Sequence, residues 1–215
     1  SKEVLKETAP LTHKGRGTCV GRPLPSMSVR IIEPLSGAVK SVEETSHLPL
    51  GQIGEIIVQG PSVTQCYDRL SEADANSKIS GFSGYWHRMG DVGWMDADGR
   101  LWFCGRKEEC VMTPQGAIYT DCSEAIINQH PDVFRSALID LGGGRPGIVI
   151  EPEKNRYPAT NKERAAYIKS LRELARSSLL TEMIEDFFFL KNFPVDARHN
   201  AKIHRLSLAR KFARS

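Results

Sequence analysis

At 215 residues, with 40% hydrophobic and 26% charged side chains, the chain has an ordinary globular composition and is long enough for one large domain or two small ones. A net charge of +3, with no aromatic residues interleaved along a basic stripe, argues against a nucleic-acid binder. The five cysteines, Cys19, Cys66, Cys104, Cys110 and Cys122, are odd in number and contain no CxxC pair, which points away from a disulfide framework and a thiolate zinc site. With no apolar run of about 18 residues and no apolar stretch after Ser1-Lys2-Glu3, the expected location is the cytoplasm, without a membrane span.

From Gly21 to Arg106 the pattern is one of short β-branched runs punctuated by Gly, Pro and Ser. Ser28-Val29-Arg30-Ile31-Ile32, the run 54–60, and the strands around Asp98-Gly99 predict a small antiparallel sheet or barrel. Residues 71–79 carry good helix formers behind Ser71 and read as one helical excursion. After Arg106 the character becomes α+β. The spacing predicts a capped helix over 121–129 stopped by Pro131, strands at 136–140 and 148–151, and a long amphipathic helix over 161–180. Phe187-Phe188-Phe189-Leu190 reads as a buried strand, followed by a polar turn holding Lys202 and a basic helix over 204–213. The charged residues at 106–109 suit a linker and divide the chain into a β-rich domain, 1–106, and an α+β domain, 107–215. Gly142-Gly143-Gly144 matches no phosphate-loop pattern and reads as a hairpin turn.

Three residues stand out chemically. Asp91, after Gly90 and just before a strand, at the mouth of a sheet, either caps the turn or accepts hydrogen bonds from two neighbouring hydroxyls, such as a ribose diol. Arg106, after Gly105, either forms a surface ion pair or sets its planar fork against phosphate or ribose oxygens. Lys202 lies in a span, 198–214, with six Lys or Arg and no acid, which reads as a solvated basic face or as the site of a catalytic ammonium. His87 and Asp91 are four apart and His199 and His204 five apart, with no third ligand, so no metal site is expected.

In chain order, the segments 54–60, 86–91, 99–106, 116–124 and 201–203 resemble the later core motifs of the adenylate-forming superfamily of acyl-CoA synthetases, adenylation domains and luciferases. Within it, Trp86-His87-Arg88-Met89-Gly90-Asp91, Leu101-Trp102-Phe103-Cys104-Gly105-Arg106-Lys107 and Arg198-His199-Asn200-Ala201-Lys202-Ile203 are most similar to the olefin-biosynthesis β-lactone synthetases, often labelled fatty-acid CoA ligases. The resemblance implies that 1–106 is the last, β-rich part of the large adenylating domain and that 107–215 is the mobile C-terminal domain. It assigns Asp91 to the ATP ribose hydroxyls, Arg106 to the ribose and phosphates, Glu108 to the domain hinge and Lys202 to adenylation.

The resemblance also implies ATP and Mg²⁺ as cofactors, a long-chain 2-alkyl-3-hydroxy acid as substrate, and other olefin-pathway enzymes as partners. The sequence departs from the superfamily pattern at Glu108, where Asp is usual at the hinge, at Met112, where many members have Lys, and at Ala201, where Gly is usual. The divergent 106–124 loop bears on CoA use, so the alternatives are a fatty acyl-CoA ligase and, outside the enzymes, an interaction module with a basic tail. Without the phosphate loop of the family, the chain is expected to be a fragment.

Overall fold

The computed structural model describes residues 2–61, 77–82, 84–194 and 203–213, which fall into two compact units, Gly17–Glu108 and the combination of Ser1–Arg16 with Glu109–Ser215. The class is α+β, with an antiparallel sheet in the first unit and mixed α/β packing in the second. Among the described residues, no helix is long and apolar enough to cross a membrane.

In the first unit, β1 (Thr18–Gly21), β2 (Ser28–Ile32), β3 (Gly54–Gln59), β4 (Lys78–Gly81), β5 (Gly84–Met95) and β6 (Leu101–Arg106) form a single antiparallel sheet in the order β1-β6-β5-β3-β2, with β4 added to β5. The long β5 pairs with β4 through 84–87 and with β6 through 91–95, while β3 runs along both halves. Its core gathers Ile32, Val42, Ile57, Ile79 and Trp86. Lys78 and Ile79, expected to end a helix, are strand residues; Ile79 is fully buried opposite Trp86, and this packing outweighs local helix preference. Ser77, just before them, is helical as expected, and the rest of that excursion, 71–76, lies outside the described residues.

Trp94 and Trp102 stack at the other end with centroids 5.3 Å apart. Gly93 permits the close approach beside them, since a Cβ there would meet the Trp102 carbonyl oxygen at 2.2 Å. Asp96 then ties off the β5–β6 hairpin. Its carboxylate accepts from the backbone N–H of Asp98 (3.0 Å) and Arg100 (2.8 Å), from Arg100 Nε (2.7 Å) and from Trp102 Nε1 (2.9 Å). Although its partial burial acts to raise the pKa, these donors hold the carboxyl down at about 2.

The second unit contains α1 (Lys2–His13), a hairpin of β7 (Val111–Thr113) and β8 (Gly116–Ile118), α2 (Thr120–Ile127), β9 (Val133–Asp140), β10 (Pro146–Pro152), α3 (Asn161–Ala175), β11 (Asp186–Phe189) and α4 (Arg205–Phe212). Its main sheet runs β11-β10-β9, with β10 parallel to β11 and antiparallel to β9. Every residue of β10 is buried, because both faces of the sheet are covered. Ile148 and Ile150 pack with Leu138 and with Leu171 of α3; the alternate residue Val149 packs with Ala137, Ile139 and Leu208 of α4.

Helix α3 opens with a full capping box, Thr160 with Glu163. It stops at Ala175 rather than reaching 180, where the hydroxyl of Ser177 donates to the Leu174 carbonyl and that of Ser178 accepts from the Leu180 N–H, offering the backbone an alternative to the helix. The side-chain cap expected on α2 is absent. Its N-cap is Tyr119, and the Ser123 hydroxyl donates to the Tyr119 carbonyl. The glycine run at 142–144 closes the β9–β10 hairpin, with the Leu141 N–H bonded to the Arg145 carbonyl at 2.8 Å.

Candidate nucleotide site and its supports

Asp91 owes its position to an irregularity in β5. Against β3, Val92 pairs with Glu55 and Arg88 with Ile57, so Met89, Gly90 and Asp91 stand opposite the single residue Ile56. Bulges of this kind re-aim side chains. Gly90 supplies the positive φ of +70° that the bend requires and that L side chains rarely adopt. On its other flank Asp91 pairs directly with Arg106 of β6, and the Arg106 guanidinium meets the Asp91 carboxylate at 3.0 Å while also donating to the Met89 carbonyl at 3.1 Å. The Asp91 side chain is 14% exposed and that of Arg106 51%. One carboxylate and one planar fork thus sit together where β6 ends, Asp91 lying within β5 (Gly84–Met95) rather than just before a strand as the sequence suggests, because β5 runs on through the bulge.

The same unit holds a group of charges that the sequence reading did not single out. Glu55 of β3 is almost wholly buried and receives Arg88 Nε at 2.8 Å, Arg88 Nη2 at 3.0 Å and Lys107 Nζ at 2.9 Å. Arg88 also donates to the carbonyls of Gly37 (2.6 Å) and Leu35 (2.5 Å), and Lys107 donates to that of Leu35 (2.9 Å). Burial acts to raise the Glu55 pKa, but the hydrogen bonds from Arg88 and Lys107 outweigh it and hold the carboxyl below its usual range. An acid inside the apolar run Gly54-Glu55-Ile56-Ile57-Val58 was the available signal, since a buried carboxylate requires a cation.

Glu108 lies in a single 3₁₀ turn, Lys107–Glu109, and is exposed. Lys202 lies outside the described residues. A second charged cluster, also missed in sequence, occupies the second unit: Arg205, the first residue of α4, meets Glu124 of α2 at 2.8 Å and Glu109 at 3.0 Å. Among the described residues, no group of three or more His, Cys, Asp or Glu is placed to hold a metal ion.

No family model matches the chain. It is 39% identical over 214 residues to an olefin beta-lactone synthetase of Xanthomonas campestris pv. campestris, a match covering 95% of this chain and 38% of the relative. The chain belongs to the adenylate-forming superfamily. The counterpart from Stenotrophomonas maltophilia is 37% identical over 213 residues, again 95% of this chain and 38% of the relative. Among solved structures, the amide bond synthetase McbA from Marinactinospora thermotolerans superimposes with a TM-score of 0.70 at 26% identity, covering 91% of this chain and 36% of that one. The chain therefore spans a little over a third of the length of these relatives.

Proposed function

We propose that this chain is the C-terminal part of a ligase that uses ATP to activate a long-chain carboxylic acid as an acyl-adenylate. The observation that carries the reading is the 39% identity to an olefin beta-lactone synthetase along 95% of the chain. The Asp91–Arg106 pair supports it. Asp91 accepts hydrogen bonds from the ribose diol, a bidentate arrangement that a carboxylate favours, and Arg106 sets its fork against ribose and phosphate oxygens. Residues 17–106 belong to the large adenylating domain, residues from 109 onward to the C-terminal domain, and Glu108 is the hinge between them.

In the reaction, a carboxylate oxygen of the substrate attacks the α-phosphorus, the bond to the bridging oxygen of the β-phosphate breaks, and pyrophosphate leaves. Negative charge accumulates around the α-phosphate as an anion approaches an anion, and the Lys202 ammonium offsets it in the transition state. Mg²⁺, which neutralises phosphate charge, arrives bound to the nucleotide, as expected of an ion that prefers substrate phosphates to an all-protein cage. The substrate is a 2-alkyl-3-hydroxy acid. Its own hydroxyl oxygen attacks the activated carbonyl carbon, loses its proton and expels AMP, closing a β-lactone by an intramolecular step that proximity favours.

The full-length gene product, incubated with ATP, Mg²⁺ and a 2-alkyl-3-hydroxy fatty acid, forms β-lactone without CoA. Lys202→Ala lowers ATP–pyrophosphate exchange about a hundred- to a thousandfold, the loss typical of one removed transition-state donor. A product formed only when CoA is added rejects the lactone reading in favour of a fatty acyl-CoA ligase. Exchange unchanged in Lys202→Ala rejects the adenylation role and leaves a basic docking tail.

A further inference from the structure

We propose that the tip of the β4–β5 hairpin docks on a lipid bilayer by inserting Phe82 into its headgroup region. The proposal goes beyond the adenylating chemistry and does not rest on it. Gly81 pairs with Gly84, so the chain reverses within two residues. Turns this tight favour Asn, Asp and Gly, yet position 82 carries a phenylalanine that is wholly exposed. The fold gains no packing from that ring. The strands behind it are fixed: a Cβ at Gly81 would meet the Trp86 indole at 2.9 Å, and Trp86 and Ile79 are both buried in the core of the sheet. Gly84 supplies the φ of +117° from which β5 departs. Phe82 thus stands at the apex of a rigid support.

The side chains behind the apex are graded by polarity. Tyr85 pairs with Ser80 and His87 with Lys78, and by strand alternation these four share the outer face, opposite buried Trp86 and Ile79. Tyr85 is 53% exposed. At about 3.4 Å per residue, Lys78 lies roughly 10 Å behind the turn. An apolar apex, an amphipathic ring and then a cation follow the profile of a bilayer interface. There, apolar groups reach about 5–10 Å deep, tyrosine sits among the headgroups and ammonium groups meet lipid phosphates. Exposed Lys40, whose carbonyl accepts from the Ser80 N–H at 3.0 Å, adds positive charge beside β4, while Glu43 and Glu44 add carboxylates. Insertion of the rings therefore carries the binding, and anionic lipid assists it. A protein partner needs a larger surface: stable interfaces bury about 800 Å² on each side, and the two aromatic side chains offer about 150–250 Å² each. A bilayer is also where an acid with long alkyl chains dissolves.

The test is flotation of the full-length gene product with vesicles of phosphatidylcholine containing a minority of phosphatidylglycerol. The parent is expected to float with the vesicles. Phe82→Ser is expected to lower the partition coefficient about tenfold at an unchanged urea midpoint, and Tyr85→Ser to lower it several-fold. Phe82→Trp should keep binding and gain fluorescence that is quenched when the lipid chains carry bromine close to the headgroup. A parent that stays with the soluble fraction, or Phe82→Ser floating as well as the parent, overturns the proposal. Flotation that high salt abolishes and Phe82→Ser leaves intact overturns it in favour of adsorption through basic side chains. Loss of flotation in Phe82→Ser without bromine quenching in Phe82→Trp overturns insertion. Self-association of the parent that Phe82→Ser abolishes, with neither protein floating, reassigns the tip to a second copy of this chain. A lowered urea midpoint in Phe82→Ser overturns the premise that the ring lies outside the fold. None of these readouts involves ATP, so each leaves the reading of the nucleotide site where it stands.

Discussion

Replacing Arg88 by Met should destabilise the first unit by about 3 kcal/mol. The side chain of Glu55 is 1% exposed and that of Arg88 5%. Without Arg88, Glu55 loses both of its hydrogen bonds from the guanidinium, at 2.8 and 3.0 Å, and the Gly37 carbonyl loses its donor at 2.6 Å. Removing one partner of a buried pair typically costs about 3–5 kcal/mol because the other charge stays buried. The lower figure applies here, since Lys107 remains on Glu55 at 2.9 Å and on the Leu35 carbonyl at 2.9 Å. All three tryptophans, Trp86, Trp94 and Trp102, lie within Gly17–Glu108, so urea unfolding followed by their fluorescence reports this unit selectively. With an m-value of about 1–3 kcal/mol per molar urea, the midpoint should fall by roughly 1–3 M. Glu55→Met combined with Arg88→Met should recover part of the loss, because no carboxylate is then stranded and Lys107, 32% exposed, can turn its ammonium to water. A single-mutant shift below about 0.3 M at unchanged m, or a double mutant less stable than Arg88→Met, would refute this account.

Asp96 gives a pH-dependent counterpart. Its folded pKa of about 2 lies below the ordinary 3.8, so its contribution is present above about pH 4 and is lost as the pH falls toward 2. At a hairpin end beside solvent this amounts to about 1–2 kcal/mol, and Asp96→Asn should flatten that part of the pH–stability curve measured by tryptophan fluorescence. Leu171→Ala acts on the other unit. The side chain is fully buried among Leu138, Ile148 and Ile150, so a loss of about 2–5 kcal/mol is expected in the far-UV circular dichroism transition, with the tryptophan transition unmoved.

Much of the fold was legible because local and long-range preferences agree. The β-branched run of β2 begins and ends where the sequence places it, and Phe187-Phe188-Phe189 lies within β11 beside β10. Where they disagree, tertiary packing decides: Ile79 is helical by composition and a strand residue opposite Trp86. Helix α1 was not read at all, because Pro10 interrupts its pattern. At the candidate site, the turn chemistry flagged Asp91 and Arg106 singly, but only strand register places them side by side. The Glu55–Arg88 pair is separated by 33 residues and Glu124–Arg205 by 81, distances at which periodicity carries no information.

The 3₁₀ turn Lys107–Glu109 stores length. Lys107 is committed to Glu55 and Glu109 to Arg205, with Glu108 exposed between them. Each step of such a turn rises about 2.0 Å where an extended residue spans about 3.5 Å, so the backbone here can lengthen by unwinding without either ion pair giving way.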